Sequence, residues 1–357
     1  MTTSTEEVAA ATAPDPAAVR GALVPLLFGF FPTQVLHVAA TLQIADHLAT
    51  EPRTTADLAA VTDADEPSLA RVLRALACFG VVTEAEPGTW VLGPNGPGLQ
   101  TDGPASLQHL VLLFAGDGVW RSWGGLGEAV RTGDPPWDRI MGAPSFEYMQ
   151  KNPEFQAMFN RAMGEGTRNA APGIAAAGGF ERFDWIVDVG GGDGKLLAAV
   201  LDAHPHLRGT VFDLAEGMAS APAVLDAAGV ADRAGAEAGD FFAAVPHGPD
   251  AYVVKSVIHD WDDARATRIL QNIHAAMRAD GTLLVVEPVM PDAPSSSPDV
   301  LMMVMSDLNM LVCTGGKERT EDEFRALLAD AGFAVRAVTP VPGPTNFSVI
   351  EAVPAAA

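Results

Sequence analysis

The chain has 357 residues, long enough for two domains with hydrophobic cores of their own; 48% are hydrophobic and 19% charged. Its 45 acidic residues outnumber 22 basic ones, for a formal net charge of −23. Such a field repels a phosphate backbone and an anionic membrane surface alike, so no nucleic acid and no membrane is expected as partner, and a neutral or cationic ligand suits it better.

Residues 1–20 are polar and rich in Ala and Thr, without the basic and apolar segments of a signal peptide, and read as a disordered tail. Apolar runs further on are broken by Gly, Pro, His or Asp, which predicts no transmembrane helix. The segment 21–105 follows as a winged-helix-like dimerisation domain. Its apolar start, 23–44, is too hydrophobic for an exposed helix and suits burial against a second subunit. Thr54 and Asp57 have capping-box spacing and open a short helix over 56–61. Asp65, with Pro67 in the first turn, opens another, on which Leu69, Val72, Leu73, Leu76 and Ala77 recur at helical spacing until Gly80. Strands over 81–84 and 89–92 flank a turn at Pro87 and Gly88. A DNA-binding regulator would use the same helix, turn, helix, hairpin outline. Here the second helix offers only Arg71 and Arg74, and Glu84 and Glu86 stand where a wing meets phosphate, so packing and dimerisation are the expected use.

The segment 106–180 reads as a mostly helical linker rich in aromatic residues and Met. Phe155, Met158 and Phe159 share one helical face, which core packing alone would also produce. Cys78 and Cys313 lie in apolar runs without metal-ligand spacing, so reduced core thiols in a cytoplasm are expected. Over 181–357, strands at 185–189, 208–213, 251–255 and 282–287 alternate with helical patterns. Strands at 334–341 and 346–353, joined through Pro342, Gly343 and Pro344, make an antiparallel pair. The predicted fold is α/β, a Rossmann-like doubly wound sheet with an antiparallel last strand.

The glycine-rich turn Gly190, Gly191, Gly192, Asp193 and Gly194 follows the first of these strands, behind Asp188, and leads into a helix. Glycines there let backbone approach a ligand closely. A dinucleotide fingerprint starting at Gly190 needs glycine where Lys195 sits, which disfavours an NAD enzyme. Asp213 ends the next strand, placed for ribose hydroxyls. Gly239, Asp240 and Phe241 set an acceptor beside an aromatic ring, suited to adenine. Lys255 ends the third strand. His259, followed by Asp260 and Trp261, lies at the sheet's carboxyl edge, where ligands bind, and is a natural general base near neutral pH. Glu287, at the end of the fourth strand, and Glu318 are placed to orient it. No carboxylate cluster is evident for a metal, and none is expected.

As a set, DVGGGDG at 188–194, VFDL at 211–214, GDFF at 239–242, Lys255 with His259 to Trp261, and GGKERT at 315–320 resemble, in order and spacing, the small-molecule O-methyltransferases that use S-adenosylmethionine. That family includes plant caffeate and flavonoid enzymes and bacterial polyketide and antibiotic-tailoring enzymes, and the resemblance spans almost the whole chain. It implies S-adenosyl-L-methionine held by Thr167, Asp188, Gly190, Gly192, Asp213, Leu214, Gly239, Asp240, Phe241, Lys255 and Ser256. It implies His259 as base, steered by Glu287 and Glu318, and an acceptor pocket lined by Phe155, Phe159, Met163, Trp261, Met303, Asp307, Asn309 and Met310. The implied reaction methylates a hydroxyl of a small phenolic or polyketide-like acceptor, in a homodimer. N-methylation, or S-adenosylmethionine-dependent decarboxylation or hydroxylation, are the alternatives on the same fold.

Overall fold

The computed structural model describes residues 15–355, in two compact units, one ending at Leu99 and the other beginning at Gln100. Most of the expected tail, residues 1–14, lies outside the described residues. From Pro16 the chain is already helical, correcting the expectation of a tail to residue 20. Asp15 accepts the Ala17 amide at 3.0 Å and proline occupies the first turn, so the helix Pro16–Leu27 has a well-formed start.

In the first unit, Phe30–Thr41 continues almost directly from that helix. Together the 26 residues Pro16–Thr41 are long and apolar enough, by length and composition, to cross a membrane, a stretch the sequence pattern did not predict. The expected breaks fail because Pro25 is accommodated inside the first helix and Gly29 merely separates the two. Leu26, Leu27, Phe28, Phe30 and Phe31 are exposed along it. The capping box at Thr54 and Asp57 opens Thr55–Thr62, and Asp65 caps Glu66–Cys78, whose Leu69, Leu73 and Leu76 are buried. Strands β1 (Arg53–Thr54), β2 (Val82–Glu86) and β3 (Thr89–Leu92) form a small sheet in the order β1-β3-β2.

The second unit is built on β4 (Trp185–Val189), β5 (Arg208–Asp213), β6 (Ala234–Ala238), β7 (Ala251–Lys255), β8 (Thr282–Met290), β9 (Arg319–Thr320), β10 (Phe333–Pro340) and β11 (Phe347–Pro354). Their order is β10-β11-β8-β7-β4-β5-β6, with β9 beside the end of β8. Strands β4 to β8 pair in parallel, while β11 runs antiparallel to both β8 and β10. Both faces are buried: Ile186, Val211 and Leu284 pack into one core, Val187, Tyr252 and Val285 into the other. From β4 the chain winds first to β5 and β6, then returns to β7 and β8 on the opposite side. Between β4 and β7 the direction of winding reverses, which opens a crevice at their carboxyl ends. The long helix Pro153–Ala177 and the helix Pro298–Cys313 belong to the same unit, with Trp137, Ala162 and Val312 in a third core beside them.

Candidate active site

Strand β4 delivers Asp188 and then the glycine turn to the crevice. Gly190, Gly192 and Gly194 all have positive φ, at 72°, 54° and 77°, a conformation that side chains with a Cβ rarely adopt. Gly190 also passes so close to Val257 that a Cβ would sit 2.6 Å from its side chain, whereas nothing lies within 4 Å of one at Gly192. The turn is therefore tight on its protein side and open on the other. Asp213, ending β5, receives the Gly192 amide at 2.9 Å and the Leu214 amide at 2.7 Å. Burial raises its pKa and these two donors pull it back. Asp188 is buried with its Oδ2 unpartnered. Burial pushes it up to about 7, with Lys255 acting the other way.

Strand β7 ends at Lys255, whose Nζ donates to Ser256 Oγ at 3.1 Å and sits 4.8 Å over the Phe347 ring. Burial lowers its pKa against the pull of Glu287 and Asp188. Ser256 takes a φ of 52°, rare for a residue with a side chain, and turns the chain off the strand into the short helical turn Ile258–Asp260. His259 on that turn places Nδ1 2.9 Å from Glu318 Oε1 and 3.5 Å from Glu287 Oε2. In the neutral ring, with its proton assigned to that side, Nε2 is the acceptor; it lies 3.9 Å from Asp260 Oδ1. Burial alone would lower the imidazole, but the Glu287 charge, the Glu318 hydrogen bond and the Asp260 and Glu318 charges push it up to about 10.

The two glutamates are themselves fixed. Glu287 Oε1 accepts the Val257 and Ile258 amides, both at 2.9 Å, and Glu318 Oε1 accepts Ser306 Oγ at 2.7 Å. Burial raises Glu287 toward its neutral form, opposed by His259. The ligating atoms of His259, Glu287 and Glu318 lie within 4.8 Å of one another, a spacing that could also hold a metal ion. Sequence spacing did not reveal this, because the three residues come from separate elements.

Arg319 was not anticipated, yet it locks the turn. Fully buried, it donates to the carbonyls of Ile258 at 3.0 Å and Trp261 at 2.9 Å, on either side of His259, and to Asp263 Oδ1. The Lys317 amide donates to the His259 carbonyl at 2.9 Å. A Cβ at Gly316 would fall 2.0 Å from that same carbonyl, so only glycine lets the two turns meet this closely.

Asp188, the glycine turn, Asp213, Lys255 and His259 border one cavity of about 640 Å³, a size typical of small-molecule sites. Of the expected cofactor residues, Thr167, Asp188, Gly190, Gly192, Asp213 and Leu214 line it, as do Asp240, Phe241, Lys255 and Ser256. The Thr167 hydroxyl donates to its own helix at Met163 O. Of the expected acceptor residues, Phe155, Phe159, Met163, Trp261, Asn309 and Met310 line it, with His259. Glu287 and Glu318 stand behind the imidazole and do not reach the cavity.

Three placements need correction. Gly239 backs the site instead of lining it: a Cβ there would meet the Phe212 ring at 2.4 Å. Met303 points off the cavity and Met302 and Met305 line it instead, in phase with Ser306, Asn309 and Cys313 at helical spacing. Asp307 also misses the cavity; its Oδ1 accepts the Glu318 amide at 2.9 Å and so anchors that turn. Two aromatics from the helical segment went unassigned. Trp123 donates its indole N–H to Asn309 Oδ1 at 3.0 Å, and Phe146 stacks on Trp261 at 4.8 Å. The aromatic richness of 106–180 was the signal for both.

The family model of the O-methyltransferase domain matches residues 123–334, and that of the O-methyltransferase dimerisation domain matches residues 24–96. The chain is 44% identical to the O-demethylpuromycin-O-methyltransferase of Streptomyces alboniger over 335 residues, 93% of this chain and 88% of that protein. The crystal structure of LaPhzM superposes with a TM-score of 0.89 at 38% identity, covering 94% of this chain and 99% of the other. An O-methyltransferase of neocarzinostatin biosynthesis, in complex with S-adenosylmethionine and 2-hydroxy-5-methyl naphthoic acid, gives 0.76 at 34% identity, covering 90% and 96%.

Proposed function

This chain belongs to the family of S-adenosylmethionine-dependent O-methyltransferases, and from that membership we propose that it methylates a hydroxyl of a small phenolic or polyketide-like acceptor, with His259 as general base. The observation that carries the base assignment is the imidazole itself, with Nδ1 committed to Glu318 and the ring bordering the cavity.

The donor set fits the cofactor. Asp213 keeps lone pairs free for ribose hydroxyls after its two backbone bonds, and the open side of the turn at Gly192 leaves room for the methionine end. The unpartnered Asp188 Oδ2 lies nearby, its pKa raised by burial. Asp240 and Phe241 would hold adenine, and Lys255, Ser256, Leu214 and Thr167 would complete the contacts. Bound there, S-adenosylmethionine supplies a methyl group already activated toward a nucleophile.

The chain's own work is alignment and proton removal. Phe155, Phe159 and Met163 on one helix and Asn309 and Met310 on another would bury the acceptor ring and exclude water. Holding the hydroxyl in line with the methyl group contributes several kcal/mol, on the order of 7 or more in well-oriented cases. His259 Nε2 would take the hydroxyl proton as oxygen attacks, and Glu318 and Glu287 would stabilise the imidazolium. A phenol has a pKa of about 10, close to the value to which its neighbours push His259, so the proton moves between matched groups. Incubation with S-adenosylmethionine and a panel of phenols, read by mass spectrometry, is expected to give methyl ethers and S-adenosylhomocysteine in equal amounts. No methylated product from any phenol would defeat the reading, and a methylated amine in place of an ether would redirect it to nitrogen.

The exposed apolar helices of the first unit fall largely within the matched dimerisation domain, and two copies are proposed to pair through them. Light scattering is expected to give the mass of two chains; a stable monomer would contradict this. Both cysteines are free, in keeping with a cytoplasmic enzyme, but only Cys313 is a core thiol: Cys78, also expected in the core, is exposed.

A further inference from the structure

The helix Pro153–Ala177 brings two neighbouring stripes to the cavity. Phe155, Phe159 and Met163 recur every fourth residue and supply the acceptor wall. Gln156, Asn160 and Gly164 stand one position on in each turn, also border the cavity, and meet the strand ends that would hold the cofactor. At Gly164 a Cβ would fall 2.2 Å from both Asp193 Oδ2 and Lys195 Nζ, themselves joined at 2.6 Å, so the helix is pressed onto the glycine turn. One turn earlier, Asn160 reaches the segment that follows β5. Its Nδ2 donates to the Glu216 carbonyl at 3.2 Å and to the Gly217 carbonyl at 3.1 Å. Carbonyl oxygens only accept, so the amide nitrogen must face them. Its Oδ1 is thereby turned to Gln156, whose Nε2 donates to it at 2.8 Å.

Gly217 is where this link meets the cofactor side. A Cβ there would fall 2.6 Å from Asp213 Oδ1, so the tethered turn lies against the carboxylate that would bind ribose. Leu214, Glu216 and Gly217 border the cavity beside Asp213 and wall that end of it. Within the turn, the Met218 amide donates to the Leu214 carbonyl at 3.1 Å, which closes the turn on itself. Among the described residues the Glu216 and Gly217 carbonyls accept no hydrogen bond except those from Asn160. That one amide therefore ties the wall of the ribose end to the helix that walls the acceptor end.

We propose that Asn160, oriented by Gln156, is a positioning residue for the cofactor: it clasps the 214–217 turn to the acceptor helix and so keeps the ribose end of the cavity shaped around Asp213. The proposal rests on the methyl-transfer reading of this same cavity. Its test measures, by calorimetry, the dissociation constants of S-adenosylhomocysteine and of its 2′,3′-dideoxy analogue for the wild type, Asn160→Asp and Gln156→Ala. Aspartate keeps the shape of asparagine and can still accept from Gln156, but it has no N–H for the two carbonyls, so a role in packing alone would survive the change. The wild type is expected to favour the nucleoside with both hydroxyls by about 10-fold or more, because the analogue loses its bonds to a charged acceptor. In Asn160→Asp, S-adenosylhomocysteine is expected to bind about 10-fold or more weakly, with the preference for the hydroxylated form reduced by about 3-fold or more. Gln156→Ala is expected to move both readouts the same way by less. A smaller folded fraction lowers the amount of protein that binds but leaves the ratio of the two constants as it was. Should Asn160→Asp fail to fold, the ratio in Gln156→Ala decides, and an unchanged one overturns the proposal. An unchanged ratio in folded Asn160→Asp, whether or not affinity for both nucleosides falls together, overturns it too and leaves the methyl-transfer reading standing. No binding of S-adenosylhomocysteine by the wild type would defeat that reading and the proposal with it.

Discussion

His259→Ala is expected to lower kcat by a factor of about 100 or more while affinity for S-adenosylhomocysteine is retained. In the proposed reaction the imidazole accepts the hydroxyl proton, and none of its hydrogen-bond or ion-pair partners belongs to the glycine turn or to Asp213. Removing it should therefore act on kcat more than on binding. The backbone around it should hold, because the contacts that shape the turn do not use the ring. Arg319 grips the Ile258 and Trp261 carbonyls, Lys317 the His259 carbonyl, and Glu287 the Val257 and Ile258 amides. Single-turnover kinetics with a methylated phenol as product, set beside calorimetry with S-adenosylhomocysteine, separates the two effects. Unchanged turnover would remove His259 from the chemistry, and lost cofactor affinity would show that its role is to hold the crevice together.

The residues at the strand ends were legible because parallel strands buried on both faces read as short apolar runs, and each run stops where the ligand crevice begins. Gly190, Asp213 and Lys255 were placed by that rule, and each lines the cavity. Phase on the Pro298–Cys313 helix was not legible: Leu301, Met302, Met303, Val304 and Met305 are all apolar, so no alternation marks the inward face. Counting back by helical spacing from Cys313 and Asn309 would have chosen Met302 and Met305 over Met303. Strand β6 escaped because Ala234, Gly235, Ala236, Glu237 and Ala238 include no β-branched or aromatic residue and form an edge of the sheet. Arg319 and Asp260 escaped for a different reason. Both lie inside quoted motifs, but a charged residue with no role assigned reads as solvated surface, and only the packed turn reveals a buried clamp and a cavity-lining acid.

The central claim is that a strongly basic imidazole, made so by Glu318 and Glu287, removes the acceptor proton. An imidazole whose pKa is raised is protonated, and idle as a base, until pH climbs through that pKa; activity carried by it should rise on the alkaline side. The pH profile of kcat/KM, compared between the wild type and Glu318→Gln with one phenol, tests this most directly. Glutamine keeps an oxygen for the Nδ1 proton but removes a charge that helps raise His259, so the rising limb is expected to move about 1 pH unit or more toward acid, with a lower plateau. The phenol's own ionisation is the same for both proteins and cannot produce such a displacement. Superimposable limbs in the two proteins would contradict the account.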